Sequence, residues 1–390
     1  MDIAFCYEKV VPARGGCETY IADLARRLAR DGHAIHLYAR DWDAAALPAS
    51  LHVHRIAPPK GPRFLRPWRF SMACEQALKA ATHDVTIGFD KTWGQDILYP
   101  QGGLHVATVA HNRLKYAGLF ERFLTGTAKW FDPATWSFSW LERKQYLDPK
   151  RPMIIVNSRM VRDHFDHYYG ITADRIRIIP NAIDPTRFHA DDRLKRRDSE
   201  RASWNVSHDT PVGLFVGMNY RLKGLAPLIR SLVNLPADHP FTLAVVGHRD
   251  FAEYERLAHQ CGVAQRVRFL GFRADPKDAY FAADFLVHPT FYDPCSLVVL
   301  EALACGLPVI TTKYNGAAEL MNDECGIVVD SPLNSRGLAD AIERMCQPAN
   351  RTQAAKAARE AAKKWTFEDH YRKLLGVFEE IGQVKLKAAA

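Results

Sequence analysis

Residues Phe291–Thr312 read FYDPCSLVVLEALACGLPVITT, and this stretch decides how the second half of the chain folds. The pattern predicts a strand end, a turn, an amphipathic helix that begins near Ser296, and a Gly-Leu-Pro turn into a second buried strand. Asp293 precedes the helix, and Glu301 lies about 7.5 Å beyond its start, at 1.5 Å per residue. The first N–H groups of a helix have no intrahelical partner and favour an anion. The stretch therefore places an anion site between two carboxylates.

A purely structural interpretation explains the same residues. Asp293 as the N-cap and Pro294 at the first helical position would be ordinary helix-start chemistry. Leu297 and Leu300 would then be core residues, and Glu301 would be solvated. The acid pair alone leaves both interpretations open, and the whole string favours ligand binding because it is far more specific than two acids.

Length and composition indicate a globular protein of two domains. The chain has 390 residues, of which 47% are hydrophobic and 25% charged. No run approaches the ~18 apolar residues of a membrane helix, and the first ten residues enter a strand without a basic leader. Eight scattered cysteines without a Cys-x-x-Cys pair suit buried thiols in a reducing cytoplasm. The net charge of +8 points to an anionic partner.

Short apolar strands alternate with amphipathic helices, which is typical of parallel sheets buried on both faces. The alternation restarts once, after Pro180–Asp184, and the charged stretch 190–201 reads as a solvated helix or a linker. The sequence therefore predicts an α/β protein with two Rossmann-like domains facing a cleft, with ligands at the carboxyl ends of the strands. We place the domains at residues 1–180 and 181–365, followed by a C-terminal segment at 366–390.

The first strand leads into a loop with paired glycines, Gly15 and Gly16, ahead of Glu18. Such a pair lets the backbone approach a ligand closely and exposes helix N–H groups to a phosphate. A tight turn without a ligand is the alternative. The loop is not Gly-x-Gly-x-x-Gly, so the sequence gives no support for a nicotinamide site.

A second glycine-ended strand, at the start of the second domain, is followed by two cations. The sequence LFVGMNYRLKG ends its strand at Gly217 and then presents Arg221 and Lys223. Fixed cations in a closed site stabilise the negative charge of a departing phosphate group. Two solvated loop cations are the alternative.

These three motifs together resemble the retaining glycosyltransferases of family 4, the glycosyl transferases group 1, which have the GT-B fold. That family usually has an acid, seven residues and a Glu, followed by Ala-x-Ala-x-Gly-x-Pro-Val; here the first acid is Asp293 rather than Glu. Arg221 stands two residues before Lys223, which is not the family's usual spacing. The resemblance implies a catalytic set of Asp293, Lys223, Arg221 and His105. It implies a donor-binding set of Gly15, Gly16, Gly217, Phe272, Arg273, Ser296, Leu297, Val298 and Glu301.

Within the family, the chain resembles the lipopolysaccharide core heptose glucosyltransferases, through its first strand and Gly88–Lys91. The resemblance implies retaining transfer of a hexose, glucose above all, from a nucleotide sugar such as a UDP-sugar to a glycan or glycolipid acceptor such as lipopolysaccharide core. The first domain would bind the acceptor, and the C-terminal helix would return to it. The alternatives are another nucleotide-sugar enzyme of GT-B fold, such as a 2-epimerase, and a non-catalytic nucleotide-sugar-binding protein.

We expect no cofactor beyond the nucleotide sugar as co-substrate, and no catalytic metal. Asp41 and Asp43 form an Asp-x-Asp pattern away from the donor motifs, and the pairs His52/His54 and His164/His167 lack further ligands at zinc spacing. We interpret all of these as surface or core residues. Nucleic acid is not an expected partner, because no recognition module is present.

Two aromatic and basic clusters in the first domain predict a membrane partner. One is Lys60–Phe70, and the other lies within Leu104–Leu147 and contains Trp130, Phe131, Trp136, Phe138 and Trp140 with Arg113, Lys115, Arg122 and Lys129. Aromatic rings beside Lys and Arg suit the interface of an anionic bilayer. The alternative is that the rings fill the core and the cations face water. We expect a cytoplasmic protein, peripheral on the inner face of the cytoplasmic membrane.

Overall fold

A computed structural model describes residues 1–12, 15–115, 133–148, 152–184 and 190–389. The chain folds into two compact units. The first contains the described parts of Met1–Arg113, Gly118–Ile179 and His370–Ala390; the second contains the described parts of Leu114–Ala117 and Pro180–Asp369.

The first unit is built on a seven-stranded sheet in which every pairing is parallel. The strands are β1 (Asp2–Cys6), β2 (Lys9–Val10), β3 (Ala34–Ala39), β4 (Asp41–Trp42), β5 (His52–Arg55), β6 (Val85–Phe89), β7 (Ile97–Tyr99), β8 (Met153–Val156) and β9 (Ile176–Ile178). The order across the sheet is β5-β3-β1-β6-β7-β8-β9, and β2 and β4 form a separate pair. The helices are α1 (Gly16–Arg30), α2 (Arg66–Lys79), α3 (His105–Arg113), α4 (Pro133–Tyr146) and α5 (Arg159–Tyr169).

The second unit repeats this plan with a six-stranded parallel sheet. Its strands are β10 (Val212–Gly217), β11 (Thr242–Gly247), β12 (Val267–Gly271), β13 (Phe285–His288), β14 (Val309–Thr312) and β15 (Gly326–Val329), in the order β12-β11-β10-β13-β14-β15. Its helices are α6 (Ala190–Ser203), α7 (Leu225–Ser231), α8 (Ala252–Gln260), α9 (Lys277–Ala282), α10 (Leu297–Ala304), α11 (Ser335–Cys346) and α12 (Pro348–Ala362). Short 3₁₀ helices cover Ala44–Ala46, Arg63–Leu65, Ala173–Arg175, Leu232–Asn234, Ala264–Arg266 and Gly316–Leu320.

Each sheet reverses its strand order beside its first strand. In the first unit β1 lies between β3 and β6, and in the second unit β10 lies between β11 and β13. The crevice outside the carboxyl ends of the strands at such a reversal is where open parallel sheets bind ligands. The prediction of two Rossmann-like α/β halves is confirmed, and the topology gives each half one preferred ligand edge.

The charged stretch before β10 is a helix, α6, and one of its cations is buried. Arg201 is 1% exposed. Its guanidinium lies 2.6 Å from an Asp284 carboxylate oxygen and donates to the carbonyls of Ser207, His208 and Thr210. The expectation of a solvated helix or linker is therefore wrong at Arg201, because one carboxylate and several carbonyls satisfy its charge inside the fold.

The last helix, α13 (Phe367–Ala389), packs its length from His370 onward with the first unit. Its His370 Nε2 lies 2.7 Å from the Tyr20 hydroxyl. Near its end, the Lys385 ammonium donates to the His83 carbonyl at 2.9 Å and to Asp96 at 3.0 Å. These contacts hold the C-terminal helix to the sheet of the first unit.

All eight cysteines are free, and six of them are buried. In the described ranges, every helix is too short or too polar to cross a membrane.

Candidate functional site

The loop that follows β10 is held against the segment that follows β13. The Leu222 carbonyl accepts hydrogen bonds from the Phe291 N–H at 2.9 Å and from the Thr290 hydroxyl at 3.2 Å. Gly224 has φ +79°, and a Cβ there would lie 2.0 Å from the Pro289 carbonyl oxygen. Only glycine therefore fits this close crossing, which fixes Lys223 beside the end of β13.

Lys223 and Asp293 form an ion pair at this crossing, with 2.5 Å between Nζ and Oδ2. The buried His288 ring lies on the other side of the carboxylate, 3.7 Å from the same oxygen. Burial alone would raise the pKa of the Asp293 carboxyl, but Lys223 and His288 outweigh burial and hold that pKa far below its usual range. Asp293 is therefore ionised at every pH at which the protein would work.

The helix behind Asp293 begins at Leu297, and its N-cap is Ser296 rather than Asp293. The Ser296 side chain makes no capping hydrogen bond, while its N–H donates to Asn315 Oδ1 at 3.3 Å. The interpretation of Asp293 as N-cap is therefore wrong. Since the cap leaves the first-turn N–H groups to outside acceptors, Leu297 and Val298 can offer theirs to an anion.

Glu301 lies on α10, one turn beyond this start, and is only partly exposed. Its Oε2 accepts a hydrogen bond from the Tyr280 hydroxyl at 2.6 Å, and Tyr280 is fully buried. Burial, together with the Glu301 charge, raises the pKa of that phenol well above its usual value, so Tyr280 remains a donor. The interpretation of Glu301 as a merely solvated residue is wrong, because a core tyrosine orients its carboxylate.

The other residues of the second unit that the sequence assigned to the site lie at or after strand ends. The Lys223 side chain packs on Gly217, the last residue of β10, where a Cβ would lie 3.1 Å from Lys223 Cγ. Phe272 follows β12, is 39% exposed, and has the Arg249 guanidinium 5.5 Å from its ring centre. Arg273 turns its side chain to Glu200, 2.8 Å away, which leaves the backbone as the part of Arg273 that can serve a base. Arg221 is exposed in the loop before Lys223.

In the first unit, the paired glycines lie where the sequence placed them. Gly15 is the N-cap of α1 in an extended conformation and makes no side-chain cap, and Gly16 is the first helical residue. The Thr19 hydroxyl donates to the Gly15 carbonyl at 3.1 Å and to the Pro12 carbonyl at 3.3 Å. The Glu18 carboxylate also lies at this helix start, because a Cβ on Gly15 would be 3.0 Å from Glu18 Oε2.

His105 is the first residue of α3 and lines a cavity of about 260 Å³ with Phe138 and Glu142. The Glu142 carboxylate accepts hydrogen bonds from the N–H groups of His105 and Val106 and from the Tyr169 hydroxyl. Burial raises the pKa of Glu142 despite these three donors. Glu142 therefore caps the helix that carries His105 and sets the position of that imidazole.

Asp90 and Lys91 follow β6, at the carboxyl edge of the first sheet, and line this cavity as well as a second one of about 190 Å³. Asp90 has φ 53° and accepts a hydrogen bond from the Gly102 N–H at 3.0 Å. The Lys91 ammonium lies 3.9 Å from the centre of the Phe138 ring. Burial lowers the pKa of Lys91 and raises that of Asp90. The ligand edge of the first unit thus carries two groups of opposite charge, of which Asp90 is partly exposed and Lys91 is exposed.

The structure adds residues that the sequence did not single out as site residues: His288, Tyr280, Asn315 and Glu142. Only their tertiary partners identify them. Asn315 could have been suspected from its Asn-Gly pair, a strong turn signal. Its side chain links the turn to the helix start, because Oδ1 accepts from both Ser296 N–H and Ala317 N–H.

Comparison with known proteins places this architecture in the class of GT-B fold glycosyltransferases. Residues 196–365 match the family described as Glycosyl transferases group 1, and residues 14–187 match Glycosyltransferase Family 4. The chain belongs to this glycosyltransferase family and is an enzyme of that kind.

Among its relatives is the lipopolysaccharide glucosyltransferase WaaG of Escherichia coli K12, 27% identical over 88% of this chain and 89% of that protein. A crystal structure of WaaG, described as a glycosyltransferase involved in lipopolysaccharide biosynthesis, superposes with a TM-score of 0.80 over 96% of this chain and 99% of the other, at 25% identity. HepE of Anabaena, solved with UDP-glucose, shares the fold at a TM-score of 0.67 and 19% identity, over 97% of this chain and 99% of that one.

Proposed function

We propose that this enzyme transfers a hexose, namely glucose, from a UDP-sugar to a glycan or glycolipid acceptor of the lipopolysaccharide core type, with retention of configuration. The observation that carries the proposal is the Lys223–Asp293 ion pair beside the open start of α10, at the strand reversal of the second sheet. The relative named as a lipopolysaccharide glucosyltransferase supports glucose and the acceptor class. HepE, whose structure contains UDP-glucose, supports the nucleotide.

In this proposal the N–H groups of Leu297 and Val298 hold the diphosphate, with Lys223 and Arg221 as cations. Glu301 accepts hydrogen bonds from the ribose hydroxyls, since its carboxylate is partly exposed and Tyr280 orients it. The backbone at Phe272 and Arg273 holds the base. In the first unit, the Gly15–Gly16 turn offers its own helix start to an anionic ligand.

The chemical step needs positioning and charge stabilisation more than a protein nucleophile. The acceptor hydroxyl oxygen attacks the anomeric carbon on the face from which the diphosphate departs. The bond between that carbon and the diphosphate oxygen breaks, and its electron pair stays on the diphosphate. The hydroxyl proton passes to a diphosphate oxygen, while Lys223 stabilises the charge that develops there. Asp293 positions Lys223 and a sugar hydroxyl. The assignment of His105, in the first unit, to the transferred sugar rests on the family resemblance alone.

We propose that transfer needs no divalent metal. Lys223 and the helix N–H groups can neutralise the diphosphate, and Asp293 already has a cation as partner. Of the Asp-x-Asp pair, Asp41 lies 3.5 Å from the Lys9 ammonium, and Asp43 caps a 3₁₀ helix by accepting from the Ala45 N–H. Both acids therefore have structural partners outside the donor motifs.

We further propose that the enzyme works in the cytoplasm, with its first unit against an anionic membrane surface. Trp136 and Trp140, one turn apart on α4, are 48% and 63% exposed, and Phe64 is 39% exposed. The two predicted clusters meet, because the Ser137 hydroxyl donates to the Phe64 carbonyl at 2.8 Å. The same two segments of the chain carry exposed cations: Lys60, Arg63, Arg143 and Lys144. Arg122, Lys129, Trp130 and Phe131, which belong to the same predicted cluster, lie outside the described residues.

A donor screen tests the proposed function. UDP-, GDP- and ADP-sugars are compared by thermal shift, since a ligand that binds the native state raises the melting temperature. The best donor is then incubated with lipopolysaccharide core acceptors, with and without EDTA, and the anomeric configuration of the product is read by NMR. We expect UDP-glucose to give the largest shift, and an α-linked product from its α-linked glucose at equal rates with and without EDTA.

The alternatives give different outcomes in the same screen. A 2-epimerase would convert the sugar without an acceptor, and a binding protein would show a thermal shift with no turnover or donor hydrolysis. Complete loss of transfer in EDTA, restored by Mg²⁺ or Mn²⁺, would contradict the metal-free mechanism.

A further inference from the structure

Four histidines and one aspartate gather at the amino edge of the first sheet. Asp2 begins β1, His36 lies on β3, His52 and His54 lie on β5, and His83 precedes β6. Parallel pairing sets His36 opposite His52, and the two rings stack with 4.9 Å between their centres. No partners of His52 and His54 could be predicted from the sequence, because the residues of this cluster come from three other segments of the chain.

Asp2 lies between two of these imidazoles. One carboxylate oxygen is 3.2 Å from His36 Nε2, and the other is 2.5 Å from His83 Nδ1. The three ligand atoms that Asp2, His36 and His83 offer all lie within 4.8 Å of one another. Zinc–ligand distances of about 2.0–2.2 Å place tetrahedral ligands roughly 3.3–3.5 Å apart. To bind zinc, the Asp2–His83 contact therefore has to open by roughly 1 Å, and any pair of ligand atoms near the 4.8 Å limit has to close by about as much.

In the imidazoles of His36 and His83, the outer nitrogen is the one that faces away from Asp2. Each outer nitrogen has a partner of the kind that holds a ligating histidine in place. His36 Nδ1 lies 2.8 Å from His54 Nε2, and His83 Nε2 lies 2.8 Å from the Tyr38 hydroxyl oxygen. Both outer partners can accept a hydrogen bond as well as donate one. Each ring can therefore move its proton to the outer nitrogen and turn an inner lone pair toward a metal. Such outer partners orient the ligands of protein metal sites.

We propose that Asp2, His36 and His83 bind a zinc ion, with water in the fourth position and with His54 and Tyr38 as the outer partners. Two imidazoles and one carboxylate suit zinc, whose commonest protein ligands include both groups. The Lys385 ammonium also faces this region, but it is bound to the His83 carbonyl and to Asp96. Access is open, because the Asp2 side chain is 38% exposed.

This zinc ion takes no part in the proposed sugar transfer, although an open fourth position is of the kind found at catalytic zinc sites. Asp2 begins its strand and His83 precedes the next one, whereas Asp90 follows β6 at the opposite edge of the same sheet. The ion would clamp β1, β3 and the turn before β6 together. Its removal should lower the melting temperature and leave sugar transfer intact.

Cobalt titration of the whole protein tests the site, because Co²⁺ substitutes for zinc and absorbs visible light when tetrahedral. We expect one equivalent bound, displaced by Zn²⁺, with affinity at least tenfold lower in Asp2→Asn and His36→Gln. His83 is nearly fully buried, so His83→Gln serves only as a supporting variant, checked by circular dichroism. His54→Gln, which removes an outer partner, should cost about 10–100-fold in affinity.

His259→Gln is the matched control, because His259 is an exposed histidine on α8 of the second unit. It should bind cobalt as the wild type does, and EDTA should lower the melting temperature of both. A wild-type protein without the cobalt absorption, or equal binding in His36→Gln and the wild type, would overturn the proposal. Because absorbance and melting temperature are the readouts, failure of this site is distinguishable from failure of the proposed transfer reaction.

Discussion

The Lys223–Asp293 ion pair is the residue-scale feature on which the proposed chemistry depends most. A cation that is already partly buried and fixed by a carboxylate needs little reorganisation when charge develops on a leaving diphosphate. Substitution of either residue should also lower the stability of the fold, because it leaves the other residue partly buried without its counter-charge. Kinetic and stability effects therefore have to be measured separately.

Lys223→Ala should lower kcat/KM by about 10²–10³, the scale for loss of one charge-stabilising donor. Most of the loss should appear in kcat, because the cation acts on the leaving group. Steady-state kinetics with the donor found by the screen measures this effect. Arg230→Ala is the matched control: this exposed cation lies on α7, outside the donor motifs, and its loss should leave kcat/KM unchanged. Normal turnover in Lys223→Ala, with only a lower melting temperature, would make Lys223 a structural residue.

Glu301→Ala should abolish measurable transfer and leave a folded protein, because Glu301 is partly exposed and lies off the buried face of α10. The loss should appear as weakened nucleotide binding, measured by calorimetry with UDP. Tyr280→Phe is the companion variant; it removes one donor to Glu301 but keeps the carboxylate, so binding should weaken only several-fold. A Glu301→Ala variant that keeps most of its activity would refute the assignment.

The sequence could predict that Asp293 and Lys223 lie near one another, because both follow strands of a parallel sheet and such ends share one edge. It could not predict the contacts of His288 with Asp293 or of Tyr280 with Glu301. Those depend on how β13 and α9 pack against α10, which no local pattern encodes. The residues proposed to contact a ligand could therefore be predicted from the sequence more readily than the residues that orient them.

At the scale of elements, the site depends on the crossing of the Lys223 loop over the segment after β13. Gly224→Ala should disturb that crossing, because alanine would meet the Pro289 carbonyl at 2.0 Å in addition to the strain of φ +79°. Gly262→Ala is the control: φ is +69° there, with no atom within 4 Å of the added Cβ. The control should lose about 1–2 kcal/mol of unfolding free energy.

Gly224→Ala should lose clearly more stability than Gly262→Ala, and in addition most of its transfer activity, since Lys223 is displaced from Asp293. Urea unfolding and steady-state kinetics of the two variants measure these effects. Equal losses of stability, with transfer intact in both, would show that the crossing does not position Lys223.

Helix α10 shows why element boundaries were only partly predictable. The sequence placed its start near Ser296, and the structure begins it at Leu297 with Ser296 as N-cap. Asp-Pro looked equally like a helix start, but Asp293 pairs with Lys223 instead. A tertiary ion pair thus overrode local capping chemistry. For α6 the charged pattern predicted a solvent-exposed helix. The burial of Arg201 could not be predicted from that pattern, because it too depends on a tertiary ion pair, with Asp284.

At the scale of the whole molecule, net charge and surface pattern predict where the enzyme works. The charge of +8 and the exposed tryptophans of α4 both favour an anionic bilayer surface. Each basic residue near such a surface contributes about 1 kcal/mol, and salt weakens that contribution. The tryptophan rings add a hydrophobic contribution to the binding free energy, and salt does not screen this contribution.

In a flotation assay, the protein should therefore rise with vesicles that contain anionic lipid at low salt, and partly return to the soluble fraction at high salt. Trp136→Ser combined with Trp140→Ser should reduce binding at every salt concentration. Since both rings are exposed, the double variant should lose little packing energy.

Val384→Ser combined with Leu386→Ser is the matched control, since both side chains are exposed, at 60% and 69%, and lie on α13. That control should bind as the wild type does. Wild-type protein that stays entirely in the soluble fraction at low salt, or equal losses in both double variants, would refute the membrane surface proposed for α4.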